Sequence, residues 1–247
     1  MKDIAVYLIK SFDSIKYANN FIQKGEMYFN CPEYYRYLGF QEMLEEANGN
    51  YDKINWDKPS SKGISDLNEA TVANTIGIYR YTPIYCMYTV GAKDVFGNKI
   101  RLRKKAFEEF KNNGHSFFVI CKIKDFFDRL KSSLGEDFAS DFIKYQKATP
   151  KTEMQYLQSR QEVLFRKSPY FCDQQEYRII LPKEKIETKL FFNGKNYTIC
   201  LTNKDKYKGI IKEIGNISDF SKLITYDQLK SCDNYYYFSL NTDKWNK

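Results

Sequence analysis

"FRKSPYFCDQQEYRIILP" (Phe165–Pro182) runs from an aromatic-rich loop into an apolar segment that opens with Glu-Tyr-Arg. Successive side chains on a strand point to opposite faces, so Glu176, Arg178 and Ile180 share one face and Tyr177, Ile179 and Leu181 the other. The apolar face packs on a core. The charged face points into a cleft, where a carboxylate and a guanidinium meet one ligand, or into solvent, where they form cross-strand ion pairs worth about 0–1 kcal/mol each.

Working outward, strand and helix patterns are interspersed. "IAVYLIK" reads as a first strand. A helix over "DSIKYANNFIQKG" follows, with Asp13 or Ser14 as N-cap and Gly25 as stop. "EMYFN" is a second strand, and "PEYYRYLGFQEMLEEANG" a Tyr-rich helix starting at Pro32. Residues 50–73 form the longest loop. "ANTIGIYRY", "PIYCMYTV" and "SFFVICKI" read as strands, and "VFGNKIRL" as a hairpin turning at Gly97-Asn98. "RKKAFEEFKNNG", "KDFFDRLKSSLG", "EDFASDFIKYQK" and "TEMQYLQSRQEVLFRK" read as helical. The last third offers "EYRIILP", the hairpin "TKLFFNGKNYTICL", "GIIKEIG" and "YYYFSL" as strands, with "SDFSKLITYDQLK" a helix between the last two. The sum is one α+β domain over residues 1–247, a mixed, largely antiparallel sheet flanked by helices.

The 247 residues suffice for a real core, and 17 % aromatics excludes a disordered chain. Net charge is +8, which favours anionic partners such as nucleotides, nucleic acid or acidic proteins; solubilising lysines are the plainer explanation. "KIRLRKK" (Lys99–Lys105) is the densest basic cluster. None of the six cysteines forms C-x-x-C, which points to buried free thiols and no zinc. The apolar run at the N-terminus is too short for a signal peptide or membrane span, so a soluble cytoplasmic protein is expected, with no membrane partner. His115 is the only histidine, and neither a phosphate-binding P-loop nor a Gly-x-Gly-x-x-Gly fingerprint is present. Nucleotide chemistry here would rest on carboxylates, arginines and aromatics, with no metal.

The order "KSF", "FIQKGEMYFNCPEYYRYL", "SDLNEA", "PIYCMY", "LFRKSPYFCDQQEYRIILP" and "IGNISDF" resembles a family of uncharacterised bacterial and phage proteins with a C-terminal Glu-x-Arg strand. The strand-helix-strand opening and strand-borne glutamate also resemble ADP-ribosyltransferase folds. That resemblance implies NAD as cofactor, Glu176 as catalytic carboxylate, and a role in phage–bacterium conflict. Such transferases carry an Arg or His on the first strand to hold the dinucleotide; this chain offers Lys10 there, and no Ser-Thr-Ser strand is evident.

The chemistry follows from residue types. Breaking a nicotinamide–ribose bond develops oxocarbenium charge that a fixed carboxylate at Glu176 stabilises. Arg178, Arg36 and Arg80 are candidate phosphate forks, and Tyr28, Tyr35 and Phe171 candidate stacking rings. Arg36 alternatively snorkels over tyrosines, and Arg80 alternatively faces solvent. Asp66 and Glu69 are an acid/base or metal-binding pair, or an N-cap aspartate with its capping-box glutamate. "EYYRYLGF" and "NYYYFSL" interleave rings with polar groups and suit either base stacking or half-buried core. Three functions stay open: ADP-ribosyl transfer; a non-enzymatic protein that sequesters a nucleotide signal or inhibits a defence-system protein; and a nucleic-acid binder.

Overall fold

The structure is a computed structural model, described over residues 4–32, 34, 43–53, 82–146, 162–167, 169–181 and 209–240. Its centre is a six-stranded sheet ordered β12-β6-β1-β3-β10-β7. These strands are β1 (Ala5–Phe12), β3 (Ile84–Gly91), β6 (Phe117–Lys122), β7 (Ala139–Phe142), β10 (Glu176–Ile180) and β12 (Ser221–Thr225), and every pairing among them is antiparallel.

Period-2 alternation divides the apolar residues between two layers. Leu8, Tyr85, Met87, Val119, Cys121, Tyr177 and Ile179 face the first. Helix α1 (Ile15–Lys24), β2 (Glu26–Phe29), β11 (Ile210–Glu213) and a later helix, Ile123–Leu134, cover it with Phe21, Met27, Phe29, Phe126 and Leu130. Ser14 caps α1 by accepting from the Lys16 amide, and Gly25 ends it at φ 61. Gly25 also packs so closely that a Cβ would overlap Ile214 and the Gly215 carbonyl.

Ile9, Tyr88, Val90, Phe118, Ile120 and Ile224 face the second layer. Opposite them lies a four-stranded sheet ordered β13-β14-β5-β4, built from β4 (Val95–Phe96), β5 (Lys99–Arg103), β13 (Lys230–Cys232) and β14 (Tyr235–Ser239). It contributes Ile100, Leu102, Tyr236 and Phe238, and helix α2 (Lys104–Asn112) adds Ala106 and Phe107. The β4–β5 hairpin turns at Gly97, φ +59, as the Gly-Asn pair predicts.

The α+β class and the largely antiparallel sheet are as expected; the one parallel ladder described joins β8 (Lys144–Tyr145) to β9 (Arg166–Lys167). Three expected helical stretches differ. "EDFASDFIKYQK" forms β7 and β8, and "SDFSKLITYDQLK" forms β12, a 3-10 turn at Tyr226–Gln228 and the start of β13. Both carry apolar residues at helix-like intervals (Phe138 and Phe142; Phe220, Leu223 and Ile224), yet each lies against an open sheet edge whose pairing outweighs the local pattern. The end of "TEMQYLQSRQEVLFRK" is a 3-10 turn, Glu162–Phe165, followed by β9; its earlier part, the "ANTIGIYRY" strand and the "TKLFFNGKNYTICL" hairpin lie outside the described residues. Among the described cysteines Cys121 is buried, but Cys172 and Cys232 are exposed, because each sits in a surface turn or edge strand and not inside an apolar run.

No helix among the described residues is long and apolar enough to cross a membrane.

Candidate functional site

Strand β10 lies between β3 and β7, with Glu176 opposite Tyr88 and Arg178 opposite Cys86. Tyr177, Ile179 and Leu181 belong to the first apolar layer, so Glu176 and Arg178 project from the other face, as alternation requires. That face is covered here. Leu164 and Phe165 pack with Ile84, Ile143 and Ile180 over it, and the 3-10 segment Pro169–Gln174 follows. Both charged residues are therefore buried, at 7 % and 1 % exposure, and neither lies open to solvent.

Burial forces the charges to find partners inside the protein. Arg178 Nε and Nη2 donate to Glu176 Oε1 at 2.9 and 2.7 Å. Its Nη1 donates to the Leu164 carbonyl. Lys167 Nζ reaches the other carboxylate oxygen, Oε2, at 3.0 Å, with its side chain only 8 % exposed. The ammonium also lies 5.0 Å from the centre of the Phe171 ring. One carboxylate thus faces two cations. Burial alone would raise the Glu176 carboxyl, but Arg178 and then Lys167 overcome it, helped by a hydrogen bond from Cys86, and hold it well below the usual carboxylate range.

The backbone around Glu176 is equally fixed. Its amide donates to the Tyr145 hydroxyl at 2.8 Å, and its carbonyl accepts from the Ile143 amide at 2.9 Å. Burial, and then the Glu176 charge, push the Tyr145 phenol upward. Gln175 precedes the strand at φ 41, a left-handed conformation that costs a non-glycine residue energy, and its carbonyl accepts from the Thr89 amide.

Beside this cluster, where β1 begins, β3 ends, β10 begins and β7 ends, is a cavity of about 190 Å³. The apolar residues Ala5, Gly91, Phe142 and Ile143 and the polar residues Thr89, Tyr145, Gln175 and Glu176 line it; the register pairs Thr89 with Leu8, so its side chain leaves the sheet on the first-layer face, opposite the Glu176 carboxylate. Thr89 is 7 % exposed, and its hydroxyl is buried with no hydrogen-bond partner among the described residues. A buried hydroxyl left unpaired costs about 1–3 kcal/mol.

Of the other sequence candidates, Phe171 joins the cluster through Lys167. Tyr28 does not. Met27 and Phe29 face the first layer, so Tyr28 points outward from β2 on the far side of the sheet from Glu176; it is half exposed, and its hydroxyl accepts from the Gly209 amide. Tyr35, Arg36, Asp66, Glu69 and Arg80 lie outside the described residues. Lys10 is turned into the sheet: Nζ donates to the Cys86 carbonyl at 2.9 Å and sits 4.3 Å from the Tyr85 ring centre. Burial lowers its pKa against the opposing pull of Cys86 and Glu176. His115 hydrogen-bonds Ser11 at 2.8 Å through Nδ1 and stacks near Phe110. No cluster of three or more His, Cys, Asp or Glu with metal-binding geometry occurs among the described residues.

Sequence reasoning missed Lys167, Thr89, Gln175 and Tyr145. Lys167 lies within the opening stretch, but nothing local signals its contact nine residues later. Thr89 lies near the end of an otherwise apolar strand, and Tyr145 fell in a segment expected to be helical.

Searches against protein-family models, curated proteins and solved structures find no match for this chain.

Proposed function

We propose that this chain is a nucleotide-binding protein that seats one ring of its ligand in the cavity beside Glu176 without breaking a bond in it. The observation that carries the reading is the neutralisation of Glu176: both carboxylate oxygens are held by buried cations. A carboxylate so compensated offers little field to a developing oxocarbenium charge, and Arg178, engaged at Nε, Nη1 and Nη2, is not presented to a phosphate.

The cavity sets the ligand's size. A cavity of about 150 Å³ admits benzene, and drug-sized ligands need about 300–1,000 Å³. At about 190 Å³ this one takes a single planar ring with a small polar substituent, such as nicotinamide or a pyrimidine base. None of its lining residues is cationic, so the described residues fit the ring of NAD and not its diphosphate. Thr89 and Gln175 are the groups to read the ring's amide edge. Sequestration of a nucleotide signal is the role favoured by the net charge of +8 and by a first strand, Ala5–Phe12, that carries no Arg or His.

ADP-ribosyl transfer is the second reading. One observation favours it: a carboxylate held ionised beside a cavity of ring size. Calorimetric titration with nicotinamide, cytosine and NAD, followed by product analysis with labelled NAD, separates the two. Saturable ring binding, weakened in Thr89→Val and without product, supports the first. ADP-ribose formation that disappears in Glu176→Gln overturns it for the second.

A further inference from the structure

The outer sheet carries a second feature, independent of the ring cavity. Alternation buries Ile100, Leu102, Tyr236 and Phe238 on its inner face and turns Lys99, Arg101, Arg103, Tyr235 and Tyr237 outward. The register sets rings beside cations across the strands. Tyr235 lies opposite Arg103, Tyr237 opposite Arg101 on one side and Lys230 on the other. The Arg101 guanidinium is 4.7 Å from the Tyr235 ring centre and 5.2 Å from that of Phe96, which is 51 % exposed at the β4 edge. Arg103 lies 5.5 Å from the Tyr235 ring. Asp94 is tied to Arg101 at 2.7 Å, and Asp233 stands in the β13–β14 turn; Lys99, Arg103 and Lys230 leave the face positive. A groove of about 270 Å³ at the β13–β14 edge is lined by Lys222, Gln228, Lys230, Tyr237, Phe238 and Ser239.

We propose that this face binds single-stranded nucleic acid. The half-buried Tyr235 and Tyr237 and the exposed Phe96, interleaved with cations, offer what an unpaired strand needs: π-faces for bases and positive charge for the phosphates between them. A duplex is the poorer partner, because its bases are already stacked and its major groove is read by an inserted helix or ribbon, not by a sheet face. An acidic protein surface would use the cations and leave the rings without a role.

The test is fluorescence anisotropy with a labelled oligothymidylate of about twelve nucleotides, within the range one such module covers, alongside the same sequence as duplex. Three phosphate-contacting cations predict a log–log salt slope of roughly −2, at about −0.7 per phosphate for single strands. Tyr237→Ala is expected to weaken binding about 5-fold or more through lost stacking. Lys99→Glu and Arg103→Glu should each weaken it and flatten the slope. Arg101 is left intact because it neutralises buried Asp94. Unchanged melting temperatures in these variants show that the fold survives. A flat salt response, equal affinity in all variants, tighter binding of the duplex, or equal competition by polyglutamate overturns the proposal.

Discussion

Replacing Glu176 by glutamine removes one negative charge from a site where two cations depend on it. Arg178 and Lys167 have side chains 2 % and 8 % exposed, so neither can turn to water when the carboxylate is gone. Breaking a buried pair in this way costs about 3–5 kcal/mol, because the remaining charge is left uncompensated. For a chain of 247 residues, at about 2–4 °C per kcal/mol, the melting temperature should fall by roughly 6–20 °C. The triple variant Glu176→Gln/Arg178→Met/Lys167→Met should recover much of that loss, since a buried ionic cluster is often replaceable by apolar groups of similar volume. The same carboxyl sets an acid limb. Its folded pKa lies below the unfolded value of about 4.3. Its stabilisation is therefore complete above the unfolded value and lost as pH falls toward the folded one. Urea denaturation between pH 7 and pH 3 measures both effects, and Glu176→Gln should flatten this part of the pH dependence. A loss below about 1 kcal/mol in Glu176→Gln at neutral pH, the size of an exposed ion pair, would refute the buried network.

Gly25→Ala places a methyl group against Ile214 and the Gly215 carbonyl in a left-handed residue, whereas Gly97→Ala meets nothing within 4 Å. Denaturation should show Gly97→Ala costing about 1–2 kcal/mol and Gly25→Ala clearly more; equal costs would deny the close approach. The lone histidine gives an unambiguous NMR titration: burial, then Lys10, lower its pKa, so the midpoint should fall below about 6.5, and the stability it contributes should be full above that pH and lost below it. A midpoint at or above 6.5 contradicts the packing of His115 against Ser11 and Phe110. In the native protein a thiol reagent should modify Cys172 and Cys232 rapidly and leave Cys121, whose thiol is buried and pushed upward, unreacted until unfolding; peptide mapping distinguishes them.

How much was legible follows from the range of each signal. Local cues placed α1 between an N-cap at Asp13 or Ser14 and a stop at Gly25, the turn at Gly97 and the largely apolar β6, because capping, turn chemistry and burial on both faces mark nearby residues. Alternation correctly put Glu176 and Arg178 on the face opposite Tyr177 and Ile179. It could not reveal what covers that face, which depends on Leu164, Phe165 and the turn after Lys167 folding back over β10. The β7 and β12 strands were hidden for a similar reason: their apolar spacing fits a helix, and only the neighbouring strands β10 and β6 make them extended. Thr89 gives no sequence signal at all, since an unpartnered hydroxyl is a property of packing.

The most direct test of ring binding without turnover is an amide NMR titration of the intact protein with nicotinamide and, separately, with cytosine. Saturable shifts concentrated at Thr89, Gly91, Ile143, Gln175 and Glu176, suppressed in Thr89→Val, are the predicted result. Shifts absent from those residues at millimolar ligand, or NAD cleavage by the wild-type protein that vanishes in Glu176→Gln, would contradict it.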